Sequence, residues 1–100
     1  MSTIITPEYA RKHSRIDYNS AEDEIIEDYI LSAEGVVLSD IDRTLEDCYE
    51  QFDERQWAML KHAVLFLTDV GYEHRTPVSH GNMYIVPYTY EALIKPLMNL

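Results

Sequence analysis

The sequence predicts an all-α fold: a small bundle of two long helices plus short N- and C-terminal helices. Three observations carry this expectation. Apolar residues recur at spacings of three and four from Ile25 to Val37 and again from Trp57 to Gly71, the period of an amphipathic helix. Each run follows a pair with capping chemistry, Ser20 with Asp23 and Asp53 with Gln56. Strand signals are confined to Met83–Val86, which reads as a short extended piece. A chain of 100 residues fits a single domain over residues 1–100, large enough for one modest core.

Thr6-Pro7-Glu8 opens the first helix. Thr6 is a capping side chain, Pro7 suits the first helical position, and Glu8 meets the positive end of the dipole. This helix fades near Ser14, and RIDYNS reads as a connector. The second helix starts at Ser20 and runs to about Leu38. Ile25, Ile26, Tyr29, Ile30, Ala33 and Val37 share one face, with Glu22, Glu24, Glu27, Asp28 and Glu34 largely on the other. Ser39–Phe52 is polar and without clean period, so it reads as a loop holding a short helical turn around Leu45–Tyr49. The longest helix is expected from Glu54 to about His74, about 30 Å in length. Its broad apolar stripe (Trp57, Leu60, Val64, Leu67 and Gly71, widened by Ala63, Phe66 and Val70) marks it as the central element. Thr76-Pro77 and Gly81-Asn82 break the chain. Pro87 suits the start of a last helix reaching Lys95, and Pro96 ends it.

Net charge is −10, and it is unevenly placed: +2 over residues 1–16, −13 over residues 17–54 and +1 over residues 55–100. An acidic middle argues against wrapping nucleic acid, whose phosphates call for Lys and Arg. It fits a surface that DNA passes without sticking, a DNA mimic, or simply a solvated helix face. The single cysteine, Cys48, excludes an internal disulfide framework and suits a reducing compartment. No signal peptide is visible at the start. The stretch AMLKHAVLFLTDVGY contains Lys61, His62 and Asp69, and is too short and too polar to span a bilayer.

One motif invites an enzymatic reading. VVLSDIDRTL, residues 36–45, resembles the first motif of the haloacid-dehalogenase-like phosphatases, with Asp40 as nucleophile, Asp42 as acid/base and Thr44 beside them. Aspartyl phosphoryl transfer needs more: a strand end in an α/β sheet, a basic residue on the phosphoryl oxygens, and further carboxylates for Mg²⁺. The 55 residues after Leu45 read as helix, loop and helix. The glycine usual after the second aspartate is Arg43, and Val36–Leu38 continue the helical face begun at Ile25. No catalytic residue is therefore assigned. A calcium loop from Asp40 would need Gly and Glu where Leu45 and Gln51 stand. His13, His62, His74 and His80 show no zinc spacing with Cys48, so neither metal nor cofactor is expected. Of the eight tyrosines, Tyr84, Tyr88 and Tyr90 are candidate interface anchors or covers for a small core.

From Thr6 to Pro96 the chain resembles the tailed-phage head–tail connector family, whose members are also described as DNA-packaging proteins. A short helix leads into Arg15-Ile16-Asp17. AEDEIIEDYILSAE matches the family's first long helix, and Asp42-Arg43-Thr44-Leu45 its polar turn. LKHAVLFLTDVGYEHR is close to the family's long helix ending in Tyr72, Glu73 and Arg75. Val86-Pro87 and Leu93-Ile94-x-Pro96 resemble its closing helix. The short loop between the long helices and Thr89-Tyr90 after the proline depart from the pattern.

The resemblance implies a non-enzymatic adaptor of the virion, assembled in the host cytoplasm. Its copies would form a homo-oligomeric ring, a dodecamer when assembled. The ring would sit under the portal protein, extend the DNA channel without specific DNA binding and without membrane contact, and receive a downstream head-completion or tail protein. Arg15, Asp17, Tyr72, Glu73, Arg75 and Pro87 are the structural residues it points to, and two opposite-charge pairs among Arg15, Asp17, Glu73 and Arg75 would lock the first connector to the long helix. On the residues themselves, Glu22, Asp23, Glu24, Glu27 and Asp28 are candidates to line the channel, since negative walls repel phosphates. The alternative is a small acidic DNA-mimic inhibitor of a DNA-binding enzyme.

Overall fold

The computed structural model describes residues 4–14, 18–73 and 88–98, and among these residues the regular structure is helical, with no strand. The all-α expectation holds. The helices are α1 (Pro7–His13), α2 (Asp23–Ile41), α3 (Leu45–Gln51), α4 (Glu54–Glu73) and α5 (Tyr88–Ile94), with 3₁₀ turns at Ser20–Glu22 and Lys95–Leu97. The extended piece expected at Met83–Val86 lies outside the described residues.

Local chemistry sets most of the boundaries. The Thr6 hydroxyl accepts the Tyr9 amide at 3.1 Å and Pro7 takes the first turn of α1. Before α2 the described cap is Asn19; the side chain of Ser20 lies outside the described residues. The Asn19 side chain accepts the Ala21 amide at 2.9 Å and opens a 3₁₀ turn, so the α-helix itself starts at Asp23. The far end of α2 runs past Leu38 to Ile41. It stops where Asp42 turns left-handed (φ 57°, ψ 48°), with the Asp42 amide on the Ser39 carbonyl and the Arg43 amide on the Leu38 carbonyl, both at 3.2 Å. This pair of bonds is a Schellman stop made without glycine, by one of the few side chains that tolerate that conformation.

The segment expected as a loop with a turn is a helix, α3. Thr44 accepts the Asp47 amide and the Asp47 carboxylate accepts the Thr44 amide, each at 3.1 Å. That capping box lets seven residues hold a helix once Cys48 is packed into the core. The expected box at α4 is present: Gln56 amide to Asp53 at 2.9 Å, Asp53 amide to Gln56 at 3.1 Å.

The two longest helices, α2 and α4, pack along each other, α5 lies mainly on α4, and α1 on α2. Tyr29, early in α2, lies against Gly71, near the end of α4, so the pair runs antiparallel. Ile26, Ile30, Val37 and Ile41 meet Leu60, Ala63 and Val64 in a core that also takes Cys48 and Leu97. Two assignments to the faces of α2 are corrected. Ile25 is exposed, because it stands at the edge of the apolar arc and α4 covers only its centre. Glu34, placed on the solvent face, is buried, and its carboxylate accepts the Ile4 amide at 2.8 Å. The N-terminal segment, with Ile4 and Ile5 buried, is laid over that flank of α2 and supplies the donor a buried carboxylate requires.

Candidate functional site

Asp40, Asp42 and Thr44 are brought together as a helix stop and joint. Asp40 lies in the last turn of α2 and accepts the Tyr90 hydroxyl at 2.6 Å. Asp42 is the left-handed cap, and Thr44 caps α3. Arg43, whose neighbours suggested chemistry, donates through Nε to the Leu97 carbonyl at 2.7 Å and through a guanidinium nitrogen to the Gln51 side chain, with its cation 5.2 Å from the Phe52 ring centre. Its donors therefore tie the C-terminal turn and the end of α3 to the end of α2. No part of this arrangement offers a strand tip on which a nucleophilic carboxylate could stand.

Tyr90 belongs to this joint. Burial, and then the Asp40 carboxylate beside it, push its hydroxyl well above the ordinary tyrosine range. With 3% of its surface exposed, it packs within its own chain, the core-covering one of its two expected readings. Its ring stacks on Phe66 at 6.2 Å. Tyr84 lies outside the described residues, as does the side chain of Tyr88.

A second cluster joins the first connector to the end of α4. Asp69 accepts the Ser14 hydroxyl at 2.9 Å and also the Tyr18 hydroxyl. Burial raises the Asp69 carboxyl above the usual carboxylate value, against the opposite pull of those two hydroxyls. Tyr18 is raised as well, first by burial and then by Asp69. One turn on, the Tyr72 hydroxyl donates to Glu22 at 2.6 Å and receives the Asn19 amide at 3.2 Å. The Tyr18 and Tyr72 rings lie 4.5 Å apart, and Tyr29 meets Tyr72 edge-on at 6.2 Å. Of the structural residues the resemblance points to, Tyr72 is in this joint, and Glu73, the one described member of the expected charge pairs, is exposed beside it. Arg15, Asp17, Arg75 and Pro87 lie outside the described residues.

The candidate channel acids divide by environment. Glu22 is half-buried under Tyr72, and Asp23 is ion-paired with Arg11 at 2.5 Å. Glu24, Glu27 and Asp28 stand exposed on α2. Among the described residues no group of His, Cys, Asp and Glu is placed to hold a metal ion, and no helix is long and apolar enough to cross a membrane.

A helical chain whose conspicuous aspartates serve as caps and joints fits a structural role, and comparison with known families gives that role a name. The family model for phage gp6-like head–tail connector proteins matches residues 5–97. The chain belongs to this connector family. No curated protein and no solved structure matches it. As a connector, it is a structural component of the phage virion at the head–tail junction. The match takes in both clusters described above.

Sequence reasoning missed Asp69 and Glu34 as structural residues of this connector. For Asp69 the signal was a lone carboxylate inside the apolar run AVLFLTDVGY, a place where only a partnered acid is tolerated. For Glu34 no comparable signal exists, because its partner is a backbone amide 30 residues away.

Proposed function

We propose that this chain assembles into a homo-oligomeric ring, a dodecamer, beneath the portal protein, where it extends the DNA channel and offers a platform to a later head-completion or tail protein. The observation that carries the reading is the connector-family match over residues 5–97. The fold is compatible with it: the carboxylates that resembled a phosphatase motif are used to stop α2 and hold α5. A ring needs two different faces that meet head to tail, and the separation of an acidic middle from slightly basic ends supplies a polarity for such contacts. Tyr84 and Tyr88 remain the aromatic candidates for the contact between subunits.

Negative-stain microscopy and native mass spectrometry test the ring directly, on the purified protein alone and mixed with its portal. Rings in either preparation are the expected result. Monomers that neither assemble nor bind the portal would end the reading.

Glu24, Glu27 and Asp28 are the part of the acidic set that we assign to the channel wall, where negative charge lets DNA slide. Replacing them by Gln, Gln and Asn is expected to leave the ring intact and change DNA retention or ejection. An intact ring with unchanged DNA behaviour would remove the assignment. The DNA-mimic alternative rests on net charge and carboxylate density, and two of the five candidate channel acids, Glu22 and Asp23, are already occupied within the chain.

A further inference from the structure

The turn from α3 into α4 carries the most exposed of the three large apolar side chains that stand exposed among the described residues. Tyr49 is 61% exposed, against 49% for Val36 and 42% for Ile25. Its ring lies over that of half-buried Trp57, with centres 5.1 Å apart and planes tilted by 33°. The pair is fixed by well-capped elements on both sides, the Thr44–Asp47 box before it and the Asp53–Gln56 box within it. Rigid aromatic surface of this kind costs little ordering entropy on binding, which is why Trp and Tyr dominate interaction hot spots.

The charges around the pair select its occupant. Glu46 stands one turn before Tyr49 on α3, Glu50 follows it, and Asp53 and Glu54 lead into α4. All four are exposed. Arg55 is the one exposed base of this segment, while Arg43 is spent on Leu97 and Gln51. A carboxylate rim repels nucleic acid and anionic lipid. It attracts a cation, and a planar guanidinium stacks on indole and phenol faces while pairing with flanking carboxylates.

We propose that the Tyr49–Trp57 pair with its rim of Glu46, Glu50, Asp53 and Glu54 is a docking surface for an arginine-bearing segment of another protein. The surface chemistry stands by itself and does not rest on the connector reading.

Trp57 is the sole tryptophan of the chain, so its fluorescence reports the site directly. The full-length protein is titrated with a capped peptide of alternating arginine and glycine. A saturable change in Trp57 emission is expected, weakening as salt rises. Tyr49→Ala, and separately Glu46→Gln with Glu50→Gln, are expected to weaken binding by about tenfold or more, the loss expected of a hot-spot residue. Both variants alter exposed side chains, so folding is retained. Glu24→Gln, Glu27→Gln and Asp28→Asn together remove comparable charge from α2 and are expected to leave binding unchanged.

Absence of a saturable signal would overturn the proposal. So would an equal loss in the α2 variant, which would reduce the effect to general attraction toward an acidic chain. A concentration-dependent change in Trp57 emission without peptide would assign the surface to a second copy instead, and overturn it too. Failure of peptide binding leaves the ring reading standing, and failure of ring assembly leaves this surface standing.

Discussion

The buried Glu34 carboxylate is the contact whose removal is most informative. It holds the Ile4 amide at 2.8 Å, at a site where Glu34 and Ile4 are each 8% exposed and Ile5 is 2% exposed. A hydrogen bond to a charged acceptor contributes about 1.5–3 kcal/mol, and a buried amide left without a partner costs about 1–3 kcal/mol. Glu34→Ala therefore presents two alternatives. The N-terminal segment stays in place with an orphaned donor, or it lifts and exposes two isoleucines worth about 1.5–3 kcal/mol each, partly offset by about 1–2 kcal/mol of backbone entropy regained per residue. Both routes lead to a loss of about 2 kcal/mol, which in a domain of this size lowers Tm by on the order of 10 °C. Glu34→Gln keeps an acceptor but no charge, and is expected to lose about half as much. Urea unfolding gives the free energy, and its m-value separates the routes, because a segment already lifted leaves less surface to expose. Hydrogen exchange at the Ile4 amide reports the local event. A Glu34→Ala protein within about 0.5 kcal/mol of the original, with the Ile4 amide still protected, would refute the reasoning.

Three further outcomes follow from the geometry. A Cβ at Gly35 would meet nothing within 4 Å, whereas one at Gly71 would lie 3.0 Å from Cδ1 of Tyr29; Gly35→Ala is thus expected to stabilise α2 by about 0.5–1 kcal/mol, and Gly71→Ala to lose that gain to displacement of the Tyr29 ring, both measured by chemical unfolding. Because burial raises Asp69, the native state holds that proton more tightly than the unfolded chain, so this group's contribution is fully present below the unfolded value of about 3.9 and is lost as pH rises through the folded value. Asp69→Asn removes that slope, and the stability difference between the two proteins, followed from about pH 3 to pH 7, is expected to move in favour of the variant as pH rises; movement the other way would show that the Ser14 and Tyr18 hydroxyl bonds outweigh burial. Raising salt from about 0.05 to 0.5 M screens the repulsion within residues 17–54 and is expected to raise Tm, whereas a fall would mean that ion pairs hold the fold.

The long helices were readable because each spans enough turns for a period of 3.6 to stand out, and their caps use side chains adjacent in sequence. The Asp53–Gln56 box and the Thr6 cap needed only a four-residue window. What escaped was either short or distant. The seven residues of α3 are too few for a period, although Thr44 followed three residues later by Asp47 was a capping signal available in the sequence. Ile25 and Glu34 sit at the edges of the α2 arc, where one helix wheel cannot tell which flank a neighbour covers. Here α1 and the N-terminal segment cover the Glu34 flank and leave Ile25 bare. The cluster at Asp69 joins residues more than 50 positions apart, so no local pattern could announce it.

These distant contacts share one chemistry, and it explains how so acidic a chain folds with few bases. Eighteen acids face eight Lys and Arg, so pairing each carboxylate with a cation is arithmetically closed to it. Tyrosine hydroxyls and backbone amides take the cations' place: Tyr72 on Glu22, Tyr18 on Asp69, Tyr90 on Asp40, and the Ile4 amide on Glu34. Between described residues the one ion pair is Arg11 with Asp23. Glu34 is buried and Glu22 and Asp69 half-buried, and there a neutral donor satisfies the carboxylate without bringing a second ion out of water, which avoids the desolvation that weakens buried salt bridges. Three of these contacts also need the tyrosine ring as packing, so phenol body and hydroxyl tip act at once. On this account the acids at the joints are held by phenols and a backbone amide, while the exposed Glu24, Glu27 and Asp28 of α2 and Glu46, Glu50 and Glu54 around the α3–α4 turn are among those proposed above to meet DNA or a partner.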